Sequence, residues 1–185
     1  MQYGTSEKAD SVGRGTPVLR INNVKRRTVD TAELKHVELP DKVRRGLLLT
    51  DGDILIIRTS GSRDLVGTCA VFHEKGEYVF ASYLIRLRVD NAKANPEFIA
   101  WFLNSSLGRQ QIDATSRQIM QNNINSDEIR SLQVPLPPLP VQQAMMKRVE
   151  AGRAEIAKLK TDAKVRAAAA KADVEAMILG TKPVQ

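Results

Sequence analysis

The sequence predicts a mixed α/β (α+β) domain followed by a single long α-helix. Three observations predict it. Up to Leu136 the chain carries short apolar runs and period-two alternation broken by turn residues, the mark of short strands and connecting helices. Val134-Pro135-Leu136-Pro137-Pro138-Leu139-Pro140 then interrupts it. Each proline removes a backbone donor and clashes with the preceding turn, so this run is expected to be an extended or polyproline-type connector, a hinge between a body and a rod. From Gln142 onward, Met145, Val149, Gly152, Ile156, Leu159, Ala163, Ala167, Ala170, Val174 and Met177 recur mostly at alternating spacings of three and four. The expected division is a head over 1–136, a connector over 137–141, a helix over 142–180 and a tail over 181–185.

Within the head, Tyr3 to Gly15 is rich in Gly, Ser, Thr and charge and is expected to be loop. Pro17 to Val24 is the first expected strand. In it Arg20 and Asn22 would stand side by side on the more polar face. Lys25-Arg26-Arg27 follows as a basic cluster, and residues 28 to 50 are polar and ambiguous, with a short helix around Asp41 to Leu47. Thr50-Asp51-Gly52-Asp53 is a tight-turn signal before Ile54 to Arg58, a continuous apolar run suited to a buried strand. Arg58 to Asp64 is a small-residue loop flanked by arginines. Leu65 to Phe72 is a strand with Gly67 at a bulge or close approach, and Tyr78 to Val89 is one long, half-buried strand. Asn95 can cap a helix that Pro96 starts, with Trp101 in its core face. A second helix is expected over Gly108 to Thr115, and Ser126-Asp127-Glu128 opens a further turn.

Among 185 residues, Lys plus Arg number 28 against 21 Asp plus Glu, a net charge of +7. The isoelectric point of about 9.7 favours polyanionic partners, nucleic acid above all. The start lacks a signal-peptide pattern, and no apolar stretch approaches the roughly 18 residues a membrane span needs. A cytoplasmic protein without a membrane partner is expected. The single cysteine, Cys69, sits in an apolar run and is expected to be a buried small hydrophobe. Walker-type and dinucleotide glycine loops, a Gly-x-Ser-x-Gly elbow and zinc spacing are all missing. Asp30 with Glu33-Leu34-Lys35 imitates part of a nuclease cluster but lies outside any clear strand pair. The chain is therefore not expected to be an enzyme and is expected to bind no cofactor or metal itself.

Three polar clusters remain. They are Arg20, Asn22 and Asn23 with Lys25; Arg58, Thr59, Ser60, Ser62 and Arg63; and Arg117, Gln118, Gln121, Asn122 and Asn123. Arg pairs bidentately with guanine and Asn or Gln with adenine, while small hydroxyls and loop amides suit phosphate oxygens. The bland alternatives stand beside this: Gln-Asn-Asn can satisfy backbone in an irregular segment, and Asn22-Asn23 can be turn residues. A helix from Gln142 to Leu179 would be about 57 Å long at roughly 1.5 Å per residue. Its apolar stripe needs a partner helix, with Val149, Ile156, Leu159, Ala163, Ala170, Val174 and Met177 as the expected intermolecular coiled-coil seam. Folding back onto its own domain is the alternative.

The motifs YGTSEKA, GTPVLRINNV, GDILIIRTSGSRDLVGTCAVF, ASYLIRLR, NPEFIAWFLNS and QNNINSDEIRSLQVPLPPLPVQQ, in that order, resemble the specificity (S) subunit of type I restriction–modification enzymes. The resemblance runs from Tyr3 to about Leu179 and covers one target recognition domain and its spacer helix. It implies a mixed α/β body that reads one half of a bipartite site on double-stranded DNA. It also implies helices that set half-site spacing and dock methyltransferase (M) and restriction (R) subunits. Those partners would use S-adenosylmethionine, ATP and Mg. The family usually joins two recognition domains and two long helices, and this sequence has one of each. Half-subunit, split gene product and excised fragment are the alternatives, and a homodimer through the helix is expected. A reading from a different class is a non-enzymatic coiled-coil adaptor whose head binds a protein.

Overall fold

The computed structural model describes residues 1–25, 27–117 and 122–183, with 116 and 117 by their backbone only. The chain divides into two compact units, Met1–Gln143 and Ala144–Gln185. In chain order the first unit opens with β1 (Gln2–Tyr3), β2 (Thr16–Leu19), a 3₁₀ turn (Ile21–Asn23), β3 (Val24–Lys25), β4 (Thr28–Val29) and β5 (Lys35–Val37). Next come α1 (Asp41–Leu47), β6 (Ile54–Ile57), a 3₁₀ turn (Arg63–Leu65), β7 (Cys69–Val71), β8 (Val79–Phe80) and β9 (Leu84–Leu87). Three short helices follow, α2 (Pro96–Asn104), α3 (Ser106–Arg117) and α4 (Ser126–Ser131), and then the long α5 (Leu139–Ile178).

An antiparallel sheet of order β1-β9-β6-β7 forms one layer. In a second sheet β2 pairs antiparallel with β5 and parallel with β8, and β3 and β4 make a two-stranded ribbon. The apolar run Ile54–Ile57 is buried on both faces because β6 is central. Leu55 and Ile57 enter a core with Leu19, Phe72, Val79, Phe80 and Leu84, while Ile54 and Ile56 alternate onto the opposite face. Each such side chain contributes about 1.5–3 kcal/mol by leaving water. Helix α2 packs on β7, and Gly67 explains how α3 closes in. Its φ is +78°, and a Cβ there would lie 2.8 Å from the Ile112 side chain.

A buried ionic knot ties the sheet to the Thr50–Asp53 turn. Asp53, 1% exposed, accepts from the Thr50 amide at 2.9 Å and from Arg88 Nε and Nη2 at 2.6 and 3.0 Å. Arg86 is also buried. It donates to the carbonyl of Leu48 at 2.7 Å, pairs with Gln2, and lies over the Phe80 ring at 5.3 Å. Burial, and then the Arg88 charge, lower the pKa of Arg86, while Asp53 opposes that fall.

The mixed α/β head and the long C-terminal helix agree with expectation, and the element boundaries correct it in several places. Pro17 to Val24 is not one strand. Asn23 accepts from the Arg20 amide at 3.0 Å and bends the chain into a 3₁₀ turn. Tyr78 to Val89 is also divided, because Ala81–Tyr83 passes the chain from one sheet to the other. Leu65 to Phe72 contributes only Cys69–Val71 to the sheet, and Trp101 is half-buried. Part of the expected N-terminal loop is the edge strand β1. Asn95 caps α2 as expected, but α4 is capped by Asn125 rather than Ser126. Helix α5 starts three residues before Gln142, which places Pro140 in a first turn where its missing N–H costs nothing.

The connector is anchored by glutamines. Gln142 is fully buried. It donates to Pro137 O at 2.7 Å and Lys93 O at 3.1 Å, and accepts from Asn95 N at 2.8 Å. Gln111 pairs with the backbone of Gln133 as a strand would, at 3.0 and 2.8 Å. In the second unit the apolar stripe of α5 faces solvent. Ile156, Leu159 and Val174 are 54%, 60% and 55% exposed, Ala163 and Ala170 are exposed, and Val149 and Met177 are half-buried.

Candidate nucleic-acid interface

β6 ends by delivering Arg58 to the surface of the sheet, and the chain then pairs with a segment distant in sequence. Thr59 and Asn123 form an antiparallel bridge. Ile124 N donates to Arg58 O at 2.7 Å, Ser60 N to Asn122 O at 3.3 Å, and Asn122 Nδ2 to Gly61 O at 3.4 Å. The second polar cluster and Asn122–Asn123 of the third are therefore stitched into one short ladder. Ile124, wholly buried, anchors one side, and β6 anchors the other.

Arg58 is positioned from three directions. Its amide donates to Tyr83 O at 2.9 Å, its carbonyl receives Ile124 N, and its guanidinium carbon lies 4.8 Å from the centre of the Tyr3 ring. The Tyr3 hydroxyl accepts from Ser126 N at 3.0 Å and lies 3.3 Å from Ser126 Oγ. The Ser126 hydroxyl, then its amide, and also the Arg58 charge lower the Tyr3 pKa against the opposing effect of burial. The next residue, Gly4, lets the strand pass the neighbouring backbone, because a Cβ there would collide with the carbonyls of Phe80 and Ala81. Thr5 then bonds to Phe80 O at 2.9 Å. The Tyr-Gly-Thr motif is thus a ring for Arg58, a close approach and a tether.

Arg58 Nε and Asn123 Oδ1 are buried without a hydrogen-bond partner, so each keeps bonding capacity. Ser62 and Arg63 are exposed at the tip, Ser62 N donating to Ser60 Oγ at 3.1 Å and Arg63 reaching Asp113 O at 3.5 Å. The Arg117 side chain, Gln118 and Gln121 lie outside the described residues. In the first cluster Arg20 and Asn22 line a cavity of about 480 Å³, and Lys25 is exposed on β3. Asn23 is different: it is 2% exposed, and its amide donates to Asp30 O at 2.8 Å and Glu33 O at 3.0 Å. It holds the turn and has no free edge for a base.

Tyr3, Lys8, Lys35 and Tyr83 join these clusters in the fold, although none of them is among the three polar clusters of the sequence. The Tyr-Gly-Thr motif was the available signal for Tyr3; the others carry no local one. Cys69 is wholly buried, and burial pushes its thiol to about 12 against a hydrogen bond from Asn104, which leaves no thiolate for chemistry. Among the described residues, no three His, Cys, Asp or Glu side chains gather in a metal-holding group, and no helix is long and apolar enough to cross a membrane.

The first unit is thus a mixed α/β body that presents Arg, Asn, Ser and Thr on a braced ladder. Residues 6–166 match the Type I restriction modification DNA specificity domain, and the chain belongs to that family. It is 31% identical over 153 residues to the type I restriction enzyme EcoKI specificity subunit of Escherichia coli strain K12, a match covering 81% of this chain and 33% of that protein. Identity to the StySPI specificity subunit of Salmonella potsdam is 30% over 149 residues, covering 80% and 32%. The chain spans about a third of the length of these curated relatives. The crystal structure of the HsdS subunit from Thermoanaerobacter tengcongensis shares the fold, with a TM-score of 0.59 at 18% identity over 96% of this chain and 45% of that one.

Proposed function

We propose that this chain is a non-catalytic DNA-specificity component of a type I restriction–modification system. Its head reads one half of a bipartite site on double-stranded DNA. The observation that carries this reading is the ladder that joins Arg58–Arg63 to Asn122–Asn123. It gathers donors and acceptors suited to base edges beside small hydroxyls and amides suited to phosphates. The net charge of +7 supports the same partner. Methyltransferase and restriction subunits then supply the chemistry, with S-adenosylmethionine, ATP and Mg bound by them.

The long helix pairs antiparallel with its equivalent in a second copy, so that two identical heads read an inverted repeat. The exposed Ile156, Leu159 and Val174 support this pairing, since an isolated helix with an apolar stripe is poorly stable in water. Two measurements test the proposal. The pure chain should bind duplex DNA with a steep salt dependence and should sediment as a dimer at micromolar concentration. Ile156→Glu with Leu159→Glu should give a monomer whose head still melts cooperatively. A strict wild-type monomer would contradict the pairing, and no duplex binding at low salt would contradict the DNA reading.

A further inference from the structure

The cavity that holds Arg20 lies apart from the ladder in sequence but adjoins it through Tyr83. One wall is the segment after β1, fixed to Phe80–Ser82 by Thr5 N to Phe80 O at 2.9 Å and Ser82 N to Thr5 O at 2.7 Å. The turn after β2 also lines it, with Lys35 of β5, paired with Val18. Of the charged side chains lining it, Lys8, Arg20 and Lys35 are cationic and Glu7 alone is anionic. Asn22 and Tyr83 are exposed at the lining, Tyr83 to 55%.

Arg20 is the informative residue. Its Nε is buried and has no hydrogen-bond acceptor. Leaving a charged donor buried and unpaired is unfavourable, so such a group signals a partner that arrives from outside. The surplus of positive charge makes that partner an anion, and the Arg fork suits a phosphate.

We propose that this cavity seats one backbone phosphate of the bound DNA duplex on Arg20, with Lys8 and Lys35 adding charge around it. The inference rests on the DNA reading given above and deepens it. Arg58, whose amide bonds to Tyr83 O, stands on the neighbouring ladder. The cavity therefore anchors the backbone beside the groups that meet base edges, and it holds the register without reading sequence. Free phosphate or a small phosphoryl compound shares this chemistry, and the test separates the two sources.

Binding of the intact chain to several unrelated duplexes is measured over a salt series for wild type, Arg20→Gln and Lys35→Gln, with melting curves as a check on folding. Each substitution should weaken binding to every duplex alike, by roughly tenfold for Arg20→Gln, the scale of one charge-assisted hydrogen bond. Each should also flatten the dependence of log affinity on log salt by about 0.9. An unchanged slope in a folded variant, or a loss confined to one sequence, overturns the proposal. So does a melting-temperature rise of wild type with inorganic phosphate, lost in Arg20→Gln, while the DNA slope stays unchanged. If Arg20→Gln does not fold, Lys35→Gln decides by the same criteria. Wild type that binds no duplex at any salt concentration sinks the DNA reading itself, a different result from wild-type binding with an unaltered variant slope.

Discussion

The two units use their side chains in opposite ways. In Met1–Gln143, apolar residues close on one another and even charged groups such as Asp53 and Arg86 are buried among partners. In Ala144–Gln185, Ile156, Leu159, Val165 and Val174 all stand more than half exposed. The head therefore buries its apolar side chains within itself, whereas the helix leaves these four exposed, as the proposed pairing requires. Substitutions in the head should act on folding or on DNA recognition without reference to chain concentration. Those in the helix should act through association.

The largest expected effect lies in the ionic knot. Asp53→Ala strands Arg86, buried beside a second arginine, without its carboxylate. Removing one partner of a buried pair costs about 3–5 kcal/mol, a large share of a domain's total stability. Urea denaturation should show the head melting far earlier at every chain concentration. A loss that disappears at high concentration would break the distinction between the units.

Next comes Tyr3. Tyr3→Leu removes the ring beneath Arg58, whereas Tyr3→Phe keeps the ring and loses the hydroxyl bonds to Ser126. Tyr3→Leu should relax discrimination at one base position by about 1–3 kcal/mol, the scale of one bidentate reading contact. Tyr3→Phe should keep that discrimination. Equal relaxation in both would assign the effect to the Ser126 bond instead.

The smallest effect is a pH dependence. His73 lies 2.7 Å from both Asp51 and Glu97. Desolvation lowers its pKa, but the hydrogen bonds and charges of Glu97 and Asp51 outweigh that and raise it. A raised folded pKa means stabilisation that is fully present below the ordinary value of about 6.5 and lost as pH rises through the folded value. The ring is half exposed, so screening holds the contribution below about 1 kcal/mol. Wild type should melt slightly above His73→Gln at about pH 5.5 and match it at about pH 8.5.

Local chemistry made some of this architecture readable in the sequence. Asn95-Pro96 announces a capped helix because an amide acceptor and a preset φ favour a start there. Ile54–Ile57 announces a buried strand by its lack of any polar face. Long-range events were not readable. The alternation from Tyr78 to Val89 runs smoothly through Ala81–Tyr83, and only the pairing of β8 with β2 and of β9 with β6 shows that the chain changes sheets. Asn22 and Asn23 look alike in sequence, yet the second is buried under carbonyls of residues 30 and 33 and the first is exposed. The bridge from Thr59 to Asn123 leaves no local trace, since each segment is merely polar until the fold brings them together. The resemblance to specificity subunits pointed to the head as the reader; the ladder gives that a candidate geometry.

The most direct test of the central claim is selection of bound sequences from a random duplex pool by wild type and by Arg58→Ala. Wild type should enrich a split inverted repeat. Arg58→Ala should lose preference at one position in each half while keeping the others and the spacing. No enriched motif with wild type, or an identical motif with Arg58→Ala, would contradict it.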